Sequence, residues 1–214
     1  GFNSNKILNE SVAENSTFPS REGYPVGAIF AYKTDGLDKD GYPVFVGKEG
    51  ERLTATEFFR LNRFGASTLS AEEQRGLYTY MGTEEPKCSG GFINTFELGD
   101  WQLNLNFMFN LGMKVRVQPS YSPTYFDRGQ NTNKDILNRW TTTNTGAKLP
   151  GLMVSTAERA NEYTHYSEYN TYSMLDIWVR DRNYCRLQSV RLAYRIPKSI
   201  LAPIGISSAS VSLE

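Results

Sequence analysis

His165, the single histidine, sits in YTHYSEY with no nucleophile motif beside it. The carboxylate pairs Glu72–Glu73 and Glu84–Glu85 are chain neighbours, so neither can flank a scissile bond from two sides. Catalysis is therefore not expected. Cys88 and Cys185 lie 97 positions apart without a CxxC, and one histidine cannot complete a zinc site of the usual kind. The two thiols could form a structural disulfide or stay free. Asp35, Asp38 and Asp40 in TDGLDKDG suggest calcium ligands, but the bidentate glutamate of an EF-hand would have to fall at Gly47. A solvated turn is expected there, and neither a metal nor a cofactor. Tyr163, Tyr166, Tyr169 and Tyr172, with Arg139 and Trp140, could form stacking platforms for sugar rings. An aromatic face offers apolar area there, and a phenol supplies a hydrogen bond. The same residues could simply pack an ordered loop; as substrate-binding candidates we take Arg139, Trp140, Tyr163 and Tyr166.

What must position these residues is a β-rich chain. Its 214 residues hold 23 basic and 23 acidic side chains, so no net field draws in nucleic acid or an anionic membrane surface. The 13 Tyr and 12 Phe, with abundant Asn and Thr, favour strands and polar loops over helices. No apolar run is long enough for a transmembrane helix, a test blind to barrel strands, whose alternation keeps mean hydropathy low. No secretory signal opens the chain, and a strand pattern runs to Glu214, as expected for a piece of a longer protein.

Residues 24–46 read as strand, Gly/Asp-rich turn and strand, and 52–80 as a compact helical insertion with capping boxes at Thr54–Glu57 and Ser70–Glu73. From Trp101 to Val117 seventeen residues hold one alternation, apolar at odd numbers and mostly polar at even ones. Phe92, Phe96 and Leu98 fall on the other parity, and Gly99–Asp100 is the two-residue turn that would restore register. At about 3.3 Å per residue, that strand would run roughly 55 Å, beyond the 9–11 residues of a barrel crossing. A strand-like extension past the membrane, or a long hairpin arm in a soluble sandwich, would each account for the excess. Residues 119–183 are rich in Pro, Asn, Thr and Tyr, with only NKDILNRW suggesting a helical turn; this is long for a connection in a compact domain. Alternation resumes at 184–196 and, after a turn at 197–205, at 206–213.

Four motifs, in family order, make the chain resemble the SusC/RagA family of TonB-dependent outer-membrane receptors over nearly its whole length. They are NSNKIL at 3–8 with GYPVGAIFAYKTDGLDKDGYPVF at 23–45, MGTEEPKCSGGFINTFELGDWQLNLNF at 81–107, SPTYFDRGQNTNKDILNRWT at 122–141, and NYCRLQSVRLAYRIP at 183–197, the most specific. The resemblance implies an all-β fold, an antiparallel transmembrane β-barrel segment from the C-terminal part of a 22-stranded barrel. Residues 1–214 would all belong to that barrel region, with 52–80 a helical loop insertion and 119–183 a long extracellular loop region. It further implies a Gram-negative outer-membrane location in contact with the lipid bilayer, a SusD-like lipoprotein and TonB as partners, and import of oligosaccharides or peptides. No plug, TonB box or terminal aromatic strand occurs in these residues, so this stretch is not expected to transport alone. On this reading the odd face of 101–117 meets lipid, Gln102, Asn104 and Asn106 face the lumen, and Gly99–Asp100 and 197–205 are periplasmic turns. The alternative, from another class, is a soluble β-sandwich carbohydrate-binding module whose apolar faces form a core. Expressed alone, the open edges of the excised stretch would favour self-association.

Overall fold

The computed structural model describes residues 1–8, 21–47, 49–61, 76–123, 132–160, 162 and 169–214. Its strands are, in chain order, β1 (Ala28–Ala31), β2 (Thr34–Leu37), β3 (Pro43–Val46), β4 (Arg52–Leu53), β5 (Thr79–Thr83), β6 (Cys88–Leu98), β7 (Trp101–Leu111), β8 (Lys114–Arg116), β9 (Val179–Asp181), β10 (Tyr184–Arg195) and β11 (Ser210–Leu213). Short helices α1 (Ala55–Leu61), α2 (Tyr169–Ser173) and α3 (Lys198–Leu201) and three 3-10 turns fall between them. The chain is mostly strand, all ladders between named strands are antiparallel, and it divides into two compact units.

The first unit comprises Gly1–Ser4, Glu85–Met113 and Arg182–Glu214. It is one four-stranded sheet in the order β11-β10-β7-β6. Leu98 pairs with Trp101 across Gly99–Asp100, and Gly99 takes the positive φ of 61° that such a tight turn demands, as the parity change indicated. The seventeen-residue strand expected from alternation is not formed. The β7 ladder stops at Leu111, Gly112 swings to φ 79°, and the Asn183 side chain accepts hydrogen bonds from the amides of Gly112 and Met113 at 2.7 and 3.3 Å. Residues 114–116 then belong to a different sheet, paired with β9. The sequence alternation runs through this break, and a glycine at an even position was its only mark. The 197–205 turn also differs in detail, since α3 and a 3-10 turn fill it and β11 begins only at Ser210.

The register of β10 carries a second departure. Leu187 faces Phe107 and Ser189 faces the adjacent Asn106, so Gln188 is an extra residue bulged from the ladder. The bulge brings odd-numbered Cys185 and Leu187 onto the same face as even-numbered Val190, Leu192 and Tyr194. That face is continuous with the odd residues of β7 and with Phe92, Phe96 and Leu98 of β6. Where Gly90 leaves a gap, the Phe109 ring fills it, lying 2.8 Å from where a β-carbon would be.

The second unit, Asn5–Glu84 with Lys114–Asp181, has its own core. Tyr32, Tyr42, Phe45, Phe58 and Leu77 meet Met153, Tyr172, Leu175 and Trp178 there, so residues from 119–183 supply much of the packing. Tyr32 stacks on Tyr78 at 4.5 Å and Phe45 on Phe58 at 4.7 Å. The α1 start is a reciprocal capping box. The Glu57 carboxylate accepts from the Thr54 amide at 2.9 Å, and the Thr54 hydroxyl accepts from the Glu57 amide at 3.2 Å. Strands β2 and β3 form the expected hairpin around Asp38–Gly41, in which Asp38 Oδ1 accepts from the amides of Asp40 and Tyr42 at 2.8 and 2.9 Å. The Ser70–Glu73 box lies outside the described residues.

Candidate functional site

Two surfaces can meet a ligand or a membrane, one in each unit. In the sheet, registration sorts most side chains by face, with Asn94 on the apolar side and Ile93 on the polar one. One face carries Leu103, Leu105, Phe107 and Phe109 of β7 between the apolar residues of β6 and β10, and it is left open: Phe96 is 56% exposed, Trp101 51% and Leu187 48%. Such a continuous exposed apolar surface marks an interaction site in a soluble domain or a lipid contact in a membrane one. A sandwich would cover it with a second sheet, and among the described residues this unit has only one.

The opposite face is polar. Gln102, Asn104, Asn106 and Asn110 of β7 face Ala193, Arg191, Ser189 and Tyr184 of β10 in that order. Asn110 donates to the Tyr184 hydroxyl at 2.6 Å, Thr95 donates to Asn104 Oδ1 at 2.7 Å, and Gln102 donates to Glu97 at 3.0 Å. Near the Gly99–Asp100 turn lies a recess of about 140 Å³ that Glu97, Gln102, Arg191 and Arg195 help to line.

Cys88 stands opposite Leu111, and Cys185 opposite Phe109, on the two flanks of β7; both thiols are free. Two strand spacings, about 9.6 Å, exceed the roughly 7 Å that a disulfide can bridge between α-carbons. The open choice between pairing and free thiols is thus decided for free thiols.

The second unit places the aromatic and arginine candidates differently from one another. Trp140 anchors its loop: its amide donates to the Leu149 carbonyl at 2.8 Å, and its ring lies so close to Gly41 that a β-carbon there would come within 2.6 Å of it. One ring face is therefore occupied. Arg139 Nη1 donates to the Ile136 carbonyl at 2.6 Å, holding the preceding 3-10 turn (Lys134–Asn138). Tyr172 is a core residue, 1% exposed. Tyr163, Tyr166 and His165 lie outside the described residues, as does the Tyr169 side chain.

Arg159 and Glu162, not singled out by sequence, join Asp38 and Asp40 in a polar cluster. Arg159 Nη1 meets Asp38 Oδ2 at 2.8 Å and Glu162 Oε2 at 3.0 Å, while Nη2 meets Asp40 Oδ2 at 2.8 Å. Its guanidinium also sits over the Tyr42 ring, 4.5 Å from the centroid. The acidic turn that invited a cation is thus served by an arginine 119 residues further along the chain from Asp40. Burial raises the Glu162 carboxyl above its ordinary value, with Arg159 pulling the other way and Asp38 and Asp40 adding to the rise. Burial would lower Arg159, but its carboxylate partners outweigh that and raise it. A separate cleft of about 330 Å³ opens between Leu37, Pro43 and Ile177, with Lys148 at its wall. Asp176 there is already engaged by the Thr34 hydroxyl at 2.5 Å and the Thr34 amide at 3.1 Å.

No family model matches the chain. It is similar to TonB-dependent receptor P3 of Formosa agariphila, 22% identical over 191 residues, which cover 88% of this chain and 17% of that protein. Among solved structures it is similar to the RagAB peptide importer in the open-open state, with a TM-score of 0.59, 20% identity, and coverage of 96% of this chain and 20% of that one. The RagAB peptide transporter aligns with a TM-score of 0.61 at 20% identity, over 96% of this chain and 21% of that one. The chain has the fold of a stretch of a SusC/RagA-type TonB-dependent receptor. It spans about a fifth of the length of these receptors. The chain contains both the long-stranded sheet and the loop unit, and the proteins it is similar to are receptors and transporters rather than enzymes.

Proposed function

We infer that the chain is part of the barrel wall and loops of a TonB-dependent outer-membrane transporter, importing oligosaccharide or peptide nutrients with a SusD-like lipoprotein. The observation that carries this is the two-faced sheet. Strands β6 and β7 hold 11 residues each and β10 holds 12. At about 3.4 Å per residue and a tilt near 40°, eleven residues rise roughly 28 Å, close to the ~25 Å apolar band of an outer-membrane barrel. Charge fixes the orientation. A guanidinium on lipid costs about 2–4 kcal/mol at the midplane, so the face bearing Arg186, Arg191 and Arg195 turns to the lumen and the apolar face to lipid.

On this reading Gly99–Asp100 and the Ile196–Ala209 connection are periplasmic, and 52–80 and 119–183 are extracellular loops. Arg139, Trp140, Tyr163 and Tyr166 are the loop positions we propose for ligand contact. Coupling to TonB belongs to the parent protein as a whole. The test is made on the full-length polypeptide in isolated outer membranes. A large species whose gel mobility changes on boiling supports the barrel, and a protein found only in the soluble fraction rules it out.

A further inference from the structure

The polar face of the sheet carries three arginines of β10. Arg186, Arg191 and Arg195 are all exposed, and among the described residues none has an ion pair. The carboxylates nearest this face, Glu97 and Asp100, lie at the turn end, where they share a recess with Arg191 and Arg195. Further up the strand, Arg186 stands opposite Met108, Ser189 opposite Asn106 and Arg191 opposite Asn104. The two arginines are thus four β7 positions apart, about 13 Å, within reach of one ligand unit between them. Among the described residues the polar contact of Arg191 is a long one of 3.5 Å to Ser212 Oγ, and Thr95 engages the side-chain oxygen of Asn104 rather than its amide hydrogens.

We propose that Arg186 and Arg191, with Asn104, Asn106 and Ser189 between them, form a subsite for an acidic sugar unit of an oligosaccharide. The inference rests on the sheet being the lumen wall of a receptor barrel. Guanidinium groups bind carboxylate or sulfate through charge-assisted, often bidentate hydrogen bonds. The intervening amides and hydroxyl suit a hydroxyl-rich ring, whereas an acidic peptide would want apolar pockets for its other side chains. On this stretch of the wall the apolar side chains are Met108 and, opposite Asn106, Ile93, which at 71% exposure stands on the open face rather than in a pocket.

The experiment titrates the purified full-length polypeptide in detergent with a short oligogalacturonate, with its methyl ester of equal length, and with a short oligoglutamate. The acid form should bind about tenfold or more tighter than the ester, the scale of one charge-assisted contact. Arg186→Gln and Arg191→Gln should each lose about tenfold toward the acid and less than about twofold toward the ester. Arg195→Gln, four residues beyond Arg191 at the turn end of β10 and outside the Arg186–Arg191 span, should lose less than about twofold toward either. Equal affinity for acid and ester, no binding of either, or an equal loss in Arg195→Gln overturns the subsite. Tighter binding of oligoglutamate overturns the saccharide assignment. Boiling-dependent gel mobility of every variant separates the two levels. If it persists while binding is indifferent to charge, only the subsite fails; if the unaltered polypeptide lacks it, the barrel reading fails first.

Discussion

Leu105 offers the sharpest test of which medium the apolar face meets. It lies mid-strand in β7, flanked by Asn94 of β6 and Val190 of β10. If that face is in lipid, Leu105→Arg places a guanidinium near the midplane at a cost of about 2–4 kcal/mol, a 30- to 700-fold shift in the folding equilibrium. Asn106→Arg, one residue on and facing the other way beside Ser189 and Ile93, should cost less than about 0.5 kcal/mol. Leu105→Trp separates lipid from a packed protein interior. A fluid bilayer accepts the larger ring at little cost, whereas a sandwich core would be overpacked by about 1–3 kcal/mol. The assay is a urea titration of the full-length polypeptide in lipid vesicles, read by gel mobility without boiling. The reasoning is refuted if Leu105→Arg is no costlier than Asn106→Arg, or if Leu105→Trp is as damaging as Leu105→Arg.

Further outcomes follow from local geometry. Gly41→Ala combines a φ of 81° with a β-carbon 2.6 Å from the Trp140 ring, so it should destabilise the loop unit by about 1–3 kcal/mol and hasten proteolysis there. Arg159→Gln removes the only cation seen among Asp38, Asp40 and Glu162 and should loosen the same unit at neutral pH. Because the folded-state pKa of Glu162 is raised, its protonated form is favoured on folding, and that stability is lost as pH rises through the folded value. The deficit of the variant should therefore shrink as pH falls from neutrality and Glu162 takes up its proton, by proteolysis rates measured across that range. Both cysteines should alkylate fully in denaturant without reductant, and a reducing agent should leave gel mobility unchanged. Among the described residues strand β6 has Gly1–Asn3 alone along its far edge, at Lys87–Ser89, so the excised chain should self-associate; a monodisperse monomer in light scattering would contradict this.

Much of the sheet was legible because its signals are local. Leu98, Gly99, Asp100 and Trp101 spell a hairpin, and the Thr54–Glu57 spacing spells a helix start. The end of β7 was not legible, since Gly112 neither interrupts the alternation nor reveals that Asn183, 71 residues on, will take its amide. The bulge at Gln188 did leave a trace: the apolar residues of 184–196 change parity between Leu187 and Val190. The loop site was the least visible. Trp140 was singled out for its exposed chemistry, yet Gly41, about a hundred positions earlier, claims part of its ring, and nothing near Arg159 in sequence announces Asp38 and Asp40. Pairings of that separation are decided by packing, which a linear pattern does not encode.

The bulge at Gln188 has a consequence for shape as well as for facing. An extra residue in one strand shortens its partner relative to it, bends the strand and sharpens its right-handed twist at that point. Flat sheets with open edges and an apolar side stack readily upon one another, whereas a sheet curled at its third strand presents no plane for a second copy to lie against. One glutamine left out of the ladder thus gives β10 a local bend and a sharper twist.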